Sequence, residues 1–142
     1  MNNPKKSEPT PATKGRILVA NDEETIGEII SSTLTGAGYV CRRAADGLEA
    51  LNMLDSGEEF DLVICNLMMP GLDGMGLLER IHGRFPNTPF VLESTCKDFS
   101  VFGAALRNGA YDYLQTPFER DQLMFLVSRA LEYRRLKLEN RT

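Results

Sequence analysis

Five polar side chains carry most of the chemistry this sequence could perform, and each stands at or just past the end of an apolar run. Asn21 and Asp22 follow Ile17-Leu18-Val19-Ala20, and Asn66 follows Leu62-Val63-Ile64-Cys65. Ser94 comes two residues after Phe90-Val91-Leu92, and Thr116 follows Tyr111 to Gln115. The set holds one carboxylate, two carboxamides and two hydroxyls. Such groups can build a hydrogen-bonded cluster, but a carboxamide has delocalised its lone pair and makes a poor nucleophile. The other reactive residue types are sparse. Cys41, Cys65 and Cys96 are odd in number and form no CxxC pair, so they read as reduced thiols rather than a disulfide or metal set. His82, the only histidine, has no second ligand at metal spacing and reads as a surface helix residue.

The apolar runs are short and continuous, which suits strands buried on both faces. Between them lie helical patterns. Ile26, Ile29, Ile30 and Leu34 share helical spacing and stop near Gly36-Ala37-Gly38. Asp46 with Glu49 forms a capping pattern before Leu48, Leu51 and Leu54, and Gly57 ends that helix. Leu77, Leu78 and Ile81 form a third helix, and Val101, Phe102, Ala105 and Leu106 a fourth that stops at Gly109. The last runs from Glu119 through Leu123, Leu126, Val127, Ala130 and Leu131. Tyr39 to Ala44 supplies the remaining strand. Strict alternation with long connections means βαβ units, a parallel sheet and right-handed crossovers. The fold this predicts is a flavodoxin-like α/β, a doubly wound five-stranded sheet of order 2-1-3-4-5 in three α/β/α layers. In such a sheet the site lies at the carboxyl ends of the strands, where the five polar positions converge.

The stretches ILVANDEETI (17–26), DLVICNLMMPGLDG (61–74) and GAYDYLQTPF (109–118), with the helix spacing between them, resemble the receiver domain of bacterial response regulators. The resemblance runs from Arg16 to about Glu132. It implies a site in which an acidic pair and a phosphoryl-accepting aspartate hold Mg²⁺, while a hydroxyl residue and a lysine contact the phosphoryl group. Position by position, the acidic pair falls on Asn21 and Asp22 and the acceptor on Asn66. The backbone carbonyl that completes the metal site falls on Met68. The hydroxyl residue is Ser94, the lysine is replaced by Thr116 before Pro117, and the switch aromatic is Tyr113.

Three of those five side-chain positions therefore depart from the pattern: Asn21, Asn66 and Thr116. Nucleophile, most of the metal's charged ligands and the counter-charge are lost together. The resemblance thus implies a receiver-like signalling domain of a two-component or phosphorelay system with a degenerate acceptor site. It would not be an enzyme, would hold no cofactor and would bind Mg²⁺ weakly or not at all. It would act as a phosphorylation-independent interaction or regulatory module, through its fourth helix, fifth strand and fifth helix. Amides at 21 and 66 would remove the repulsion of an unneutralised acidic cluster and bond to Asp22, Ser94 and one another. The alternative is a conventional Mg²⁺-dependent receiver, phosphorylated at Asp22 or after conversion of Asn66 to aspartate. A small-ligand module is a third reading, although NDEE after the first strand is a poor anion cradle. Glu93 stands where the family usually has an apolar residue, and is expected at the surface, reaching solvent or pairing with a cation such as Lys97. Met68 and Met69 are expected to pack the loop.

Composition sets the partners. The 142 residues suffice for one domain, and a formal charge of −4 with no basic patch argues against nucleic acid. No run approaches a membrane span and no signal-peptide core is present, so a cytoplasmic protein is expected. Residues 1–15, with prolines at 4, 9 and 11, read as a disordered tail or linker. Residues 16–132 form the domain. Residues 133–142 extend the last helix toward an output module, and that helix is also a candidate homodimer contact. The expected partner is a protein: a histidine kinase or a fused output domain.

Overall fold

The computed structural model describes residues 13–140. Five strands alternate with five helices: β1 (Arg16–Ala20), α1 (Glu24–Gly36), β2 (Val40–Ala44), α2 (Gly47–Asp55), β3 (Leu62–Asn66), α3 (Gly74–Ile81), β4 (Phe90–Ser94), α4 (Phe99–Arg107), β5 (Asp112–Gln115) and α5 (Arg120–Glu139). The strands pair in parallel in the order β2-β1-β3-β4-β5, as the alternation predicts.

Every residue of β3 and of β4 is buried, which explains their lack of polar alternation. Successive side chains point to opposite faces and feed two cores. Ile17, Val19, Ile64, Val91 and Leu114 pack with Ile30 and Leu34 of α1 and Leu123 and Val127 of α5. Leu18, Val63, Cys65, Phe90 and Leu92 pack with Leu51 and Leu54 of α2, Leu77 and Leu78 of α3 and Ala105 of α4. Each fully buried aliphatic contributes about 1.5–3 kcal/mol. The edge strand β2 instead carries Arg42 and Arg43, paired with Glu58 at 2.9 Å and Glu28 at 3.3 Å, charges that discourage edge-to-edge association.

Helix starts follow the expected chemistry. Asp46, Asp73 and Asp98 accept from the backbone N–H of Glu49, Gly76 and Ser100 respectively. Three apolar residues assigned above to buried stripes are exposed: Ile29 at 48%, Leu48 at 57% and Leu106 at 51%. On α1 the buried stripe is Gly27, Ile30, Ser31 and Leu34, and on α2 it is Gly47, Ala50, Leu51 and Leu54. Both are i, i+3, i+4, i+7 sets that small residues help to complete, leaving Ile29 and Leu48 off the stripe.

The far half of α5 returns to the domain. Tyr133 stacks near Tyr111 with centroids 5.1 Å apart. Arg134 pairs with Asp61 at 2.9 Å and donates to the Asn87 carbonyl at 2.8 Å. Lys137 donates to the Pro86 carbonyl at 2.7 Å. Residues 1–12 of the expected tail lie outside the described residues. Lys14 N–H donates to the Gly38 carbonyl, and the Gly15 carbonyl accepts from Val40. His82 lies just past α3 and is exposed. Among the described residues no helix is long and apolar enough to cross a membrane.

Candidate functional site

Asn66 closes β3 and begins a loop with little freedom. Gly71 turns the chain at a φ of +75°, a conformation that favours glycine. Gly74 opens α3 against the strand end, where a Cβ would sit 2.4 Å from the Asn66 carbonyl oxygen and 2.9 Å from Leu67 Cα. A hydrogen bond from Gly74 N–H to the Leu67 carbonyl closes the loop at 3.0 Å. Within it, Met69 is buried, whereas Met68 is 68% exposed; only the former packs as expected.

Asn66 Nδ2 donates to Asn21 Oδ1 at 2.9 Å, and Asn21 Nδ2 donates to Glu93 Oε1 at 2.8 Å. The Thr116 hydroxyl donates to Glu93 Oε2. Backbone N–H groups complete the amides: Glu23 donates to Asn21 Oδ1 and Met68 to Asn66 Oδ1, each at 2.9 Å. Asn66, Asn21, Glu93 and Thr116 thus form one hydrogen-bonded chain across the ends of β3, β1, β4 and β5.

The expectation that Glu93 lies at the surface, reaching solvent or pairing with Lys97, is wrong. Glu93 is 2% exposed, while Lys97 is exposed past the strand end. Parity explains the burial. Glu93 lies two residues beyond Val91, on the face that α1 and α5 cover, and Asn21, Asn66 and Thr116 likewise continue the parity of Val19, Ile64 and Leu114. Burial pushes the Glu93 carboxyl above the ordinary glutamate range. The bonds from Thr116 and Asn21 oppose the rise, and the charges of Glu23 and Asp22 add to it.

The remaining site residues stand apart from this chain. Asp22 is exposed at the rim. Ser94 is buried, and its hydroxyl accepts from Cys96 N–H at 3.0 Å rather than joining the amides. Ser94 shares the parity of Leu92, on the opposite face of the sheet. Tyr113 is on that face too, its ring 4.1 Å from that of Phe102. Its hydroxyl is buried toward Ser94 without a well-aligned hydrogen bond. Cys65 is buried with its thiol pushed up, first by burial and then by the charges of Glu93 and Asp73, so it is unreactive.

The donor set does not fit Mg²⁺. Both amide oxygens already accept protein N–H groups, and Asp22 is the single carboxylate left of the acidic trio that the family's metal site uses. Among the described residues no group of three His, Cys, Asp or Glu side chains could hold a metal ion.

A family model for the response regulator receiver domain matches residues 17–128. The chain belongs to that family. It is 33% identical over 120 residues to the DNA-binding transcriptional regulator NtrC of Escherichia coli, covering 84% of this chain and 25% of that protein. It is 36% identical over 126 residues to an NtrX-like response regulator of Rickettsia felis, covering 87% and 26%. The chain therefore spans about a quarter of the length of these curated relatives. Among solved structures, the signal receiver domain of an HD domain-containing protein from Pseudomonas fluorescens superposes with a TM-score of 0.83 at 30% identity, covering 94% of this chain and 98% of that one.

This receiver domain of a two-component response regulator thus carries, at the carboxyl end of its sheet, a polar chain that includes a residue the sequence reading placed elsewhere. Glu93 had a detectable signal. In a strand covered on both faces, the residue two beyond Val91 points to the same covered face, and Glu93 there is bonded to the short Thr116 that stands in place of a lysine.

Proposed function

We propose that this receiver domain is a phosphorylation-independent interaction module whose acceptor site no longer transfers phosphoryl groups. The observation that carries the reading is the buried carboxyl of Glu93 inside the pocket, bonded to Asn21 and Thr116 and, among the described residues, in no ion pair. A phosphoryl group brings negative charge that a working site meets with metal and lysine. Here the same region holds an anion of its own, and the residue at the acceptor position is a carboxamide tied to Asn21. The conventional Mg²⁺-dependent reading needs an acceptor and a cation seat that this arrangement does not offer.

The output surface is the α4–β5–α5 face. On α4 Phe99 is 84% exposed and Leu106 51%, and on α5 Phe125 is 59% exposed beneath Arg129, which pairs with Asp112 at 2.8 Å. A protein partner, either a histidine kinase or an output domain of the same regulator, docks there. The test is incubation with acetyl phosphate, and separately with beryllofluoride, in the presence of Mg²⁺. Intact mass is expected to show no phosphoryl adduct, and the amide resonances of residues 66–68 no shift. An adduct, or shifts centred on Asn66, would overturn the reading.

A further inference from the structure

Each of the two Glu93 carboxyl oxygens accepts one hydrogen bond from a neighbouring strand end. Oε1 takes the Asn21 carboxamide from the end of β1, and Oε2 takes the Thr116 hydroxyl from the end of β5. Both donors are neutral, and a buried carboxylate is tolerated only when its hydrogen-bonding capacity is met. The backbone binds the same levels together: Leu67 N–H donates to the Glu93 carbonyl and Thr116 N–H to the Ser94 carbonyl, each at 2.8 Å. One side chain therefore joins three strand ends, with Asn66 of β3 reached through Asn21.

We propose that Glu93 is a positioning residue, a resident anion that occupies the pocket in place of a phosphoryl group and holds the ends of β1, β3, β4 and β5 in one arrangement. Thr116 is its principal partner. Three residues before Thr116 on β5, Tyr113 is then held inward against Phe102, with its hydroxyl toward Ser94. The domain keeps a single state of its α4–β5 surface with no phosphoryl donor. This deepens the proposed function and rests on it.

The experiment uses the whole chain labelled with 3-fluorotyrosine, with the Tyr113 signal assigned by its loss in Tyr113→Phe. The unmodified protein is expected to give one Tyr113 signal. Thr116→Val removes the hydroxyl at nearly constant shape, and Glu93→Leu removes the anion. Each is expected to add a second Tyr113 signal of about 10% or more, the upper range for a minor state. Thr116→Ser, which keeps the hydroxyl, is expected to restore the single signal. A single unshifted Tyr113 signal in both Thr116→Val and Glu93→Leu, with circular dichroism showing them folded, overturns the proposal. If Glu93→Leu does not fold, Thr116→Val against Thr116→Ser decides it alone. Phosphoryl adducts are read on the unmodified protein by mass, so a failure of the proposed function is seen on a different sample from a failure of this inference.

Discussion

Asn66 and Asn21 are joined by a 2.9 Å hydrogen bond from Nδ2 to Oδ1, at the two strand ends where the family pattern places carboxylates. Two carboxylates at that separation repel unless a cation lies between them, whereas two amides attract. The bond therefore satisfies these two side chains with no cation between them. Glu93 extends the same logic by filling the neighbouring space with a charge that protein donors hold.

Restoring phosphoryl chemistry should need four changes. In the triple variant Asn21→Asp, Asn66→Asp, Thr116→Lys, Glu93 remains beside position 21, where its Oε1 now lies 2.8 Å from the amide nitrogen, and it would neutralise the new lysine. Adding Glu93→Leu is expected to tighten beryllofluoride binding with Mg²⁺ at least about tenfold over the triple variant, which corresponds to about 1.4 kcal/mol. Fluorine NMR titrations measure this. Equal affinities would show that Glu93 does not obstruct the site.

Glu93 also makes stability depend on pH. Its folded pKa is raised by burial above the unfolded value, so the folded state holds the proton more tightly. The stabilising contribution is complete below the ordinary glutamate value and is lost as pH rises through the raised one. Among the described residues, the charged or titratable groups coupled to it are Asp22, Glu23, Cys65 and Tyr113. Glu93→Gln has no such ionisation, so its stability relative to the parent should climb with pH over that window. Urea unfolding followed from about pH 4, near the ordinary glutamate value, up to about pH 8 measures this. A difference that is flat, or that falls with pH, contradicts the assignment.

Gly74→Ala tests the close approach of α3 to β3. The added methyl meets the Asn66 carbonyl oxygen at 2.4 Å, a contact that backbone must yield to relieve. A loss of about 1–3 kcal/mol is expected from overpacking of this kind. Denaturant midpoints measure it, with Gly71→Ala as a comparison in open space that is strained by its positive φ instead.

Arg134→Ala tests the anchoring of α5. The substitution removes a bond to the Asn87 carbonyl and a pair with Asp61 whose partners are largely shielded from water. A cost of about 1–2 kcal/mol is expected, with faster amide hydrogen exchange over residues 134–139 and little change at Leu123 to Val127. Uniform acceleration along α5 would contradict a local anchor.

The fold was legible because it rests on pattern. LVIC and FVL are apolar without interruption, a signature of strands covered on both faces, and the helices between them leave few topologies. The site was legible only in part. Asn21, Asn66 and Thr116 can be read one at a time from strand ends, but their joining runs through Glu93, whose charge suggested solvent while its parity with Val91 decided burial. Ser94 was grouped with the amides because it ends an adjacent strand, yet its side chain serves the other face. The ion pair of Arg134 with Asp61 and its hydrogen bond to the Asn87 carbonyl span dozens of residues in sequence, a relationship that helical periodicity does not encode.

The contacts of Lys137 with Pro86 and of Arg134 with Asn87 lie at the opposite pole of the sheet from the amides. They make α5 a strut rather than a hinge. They tie the last turns of α5 to the segment between α3 and β4, at the end of the sheet away from the Asn21–Asn66 pair.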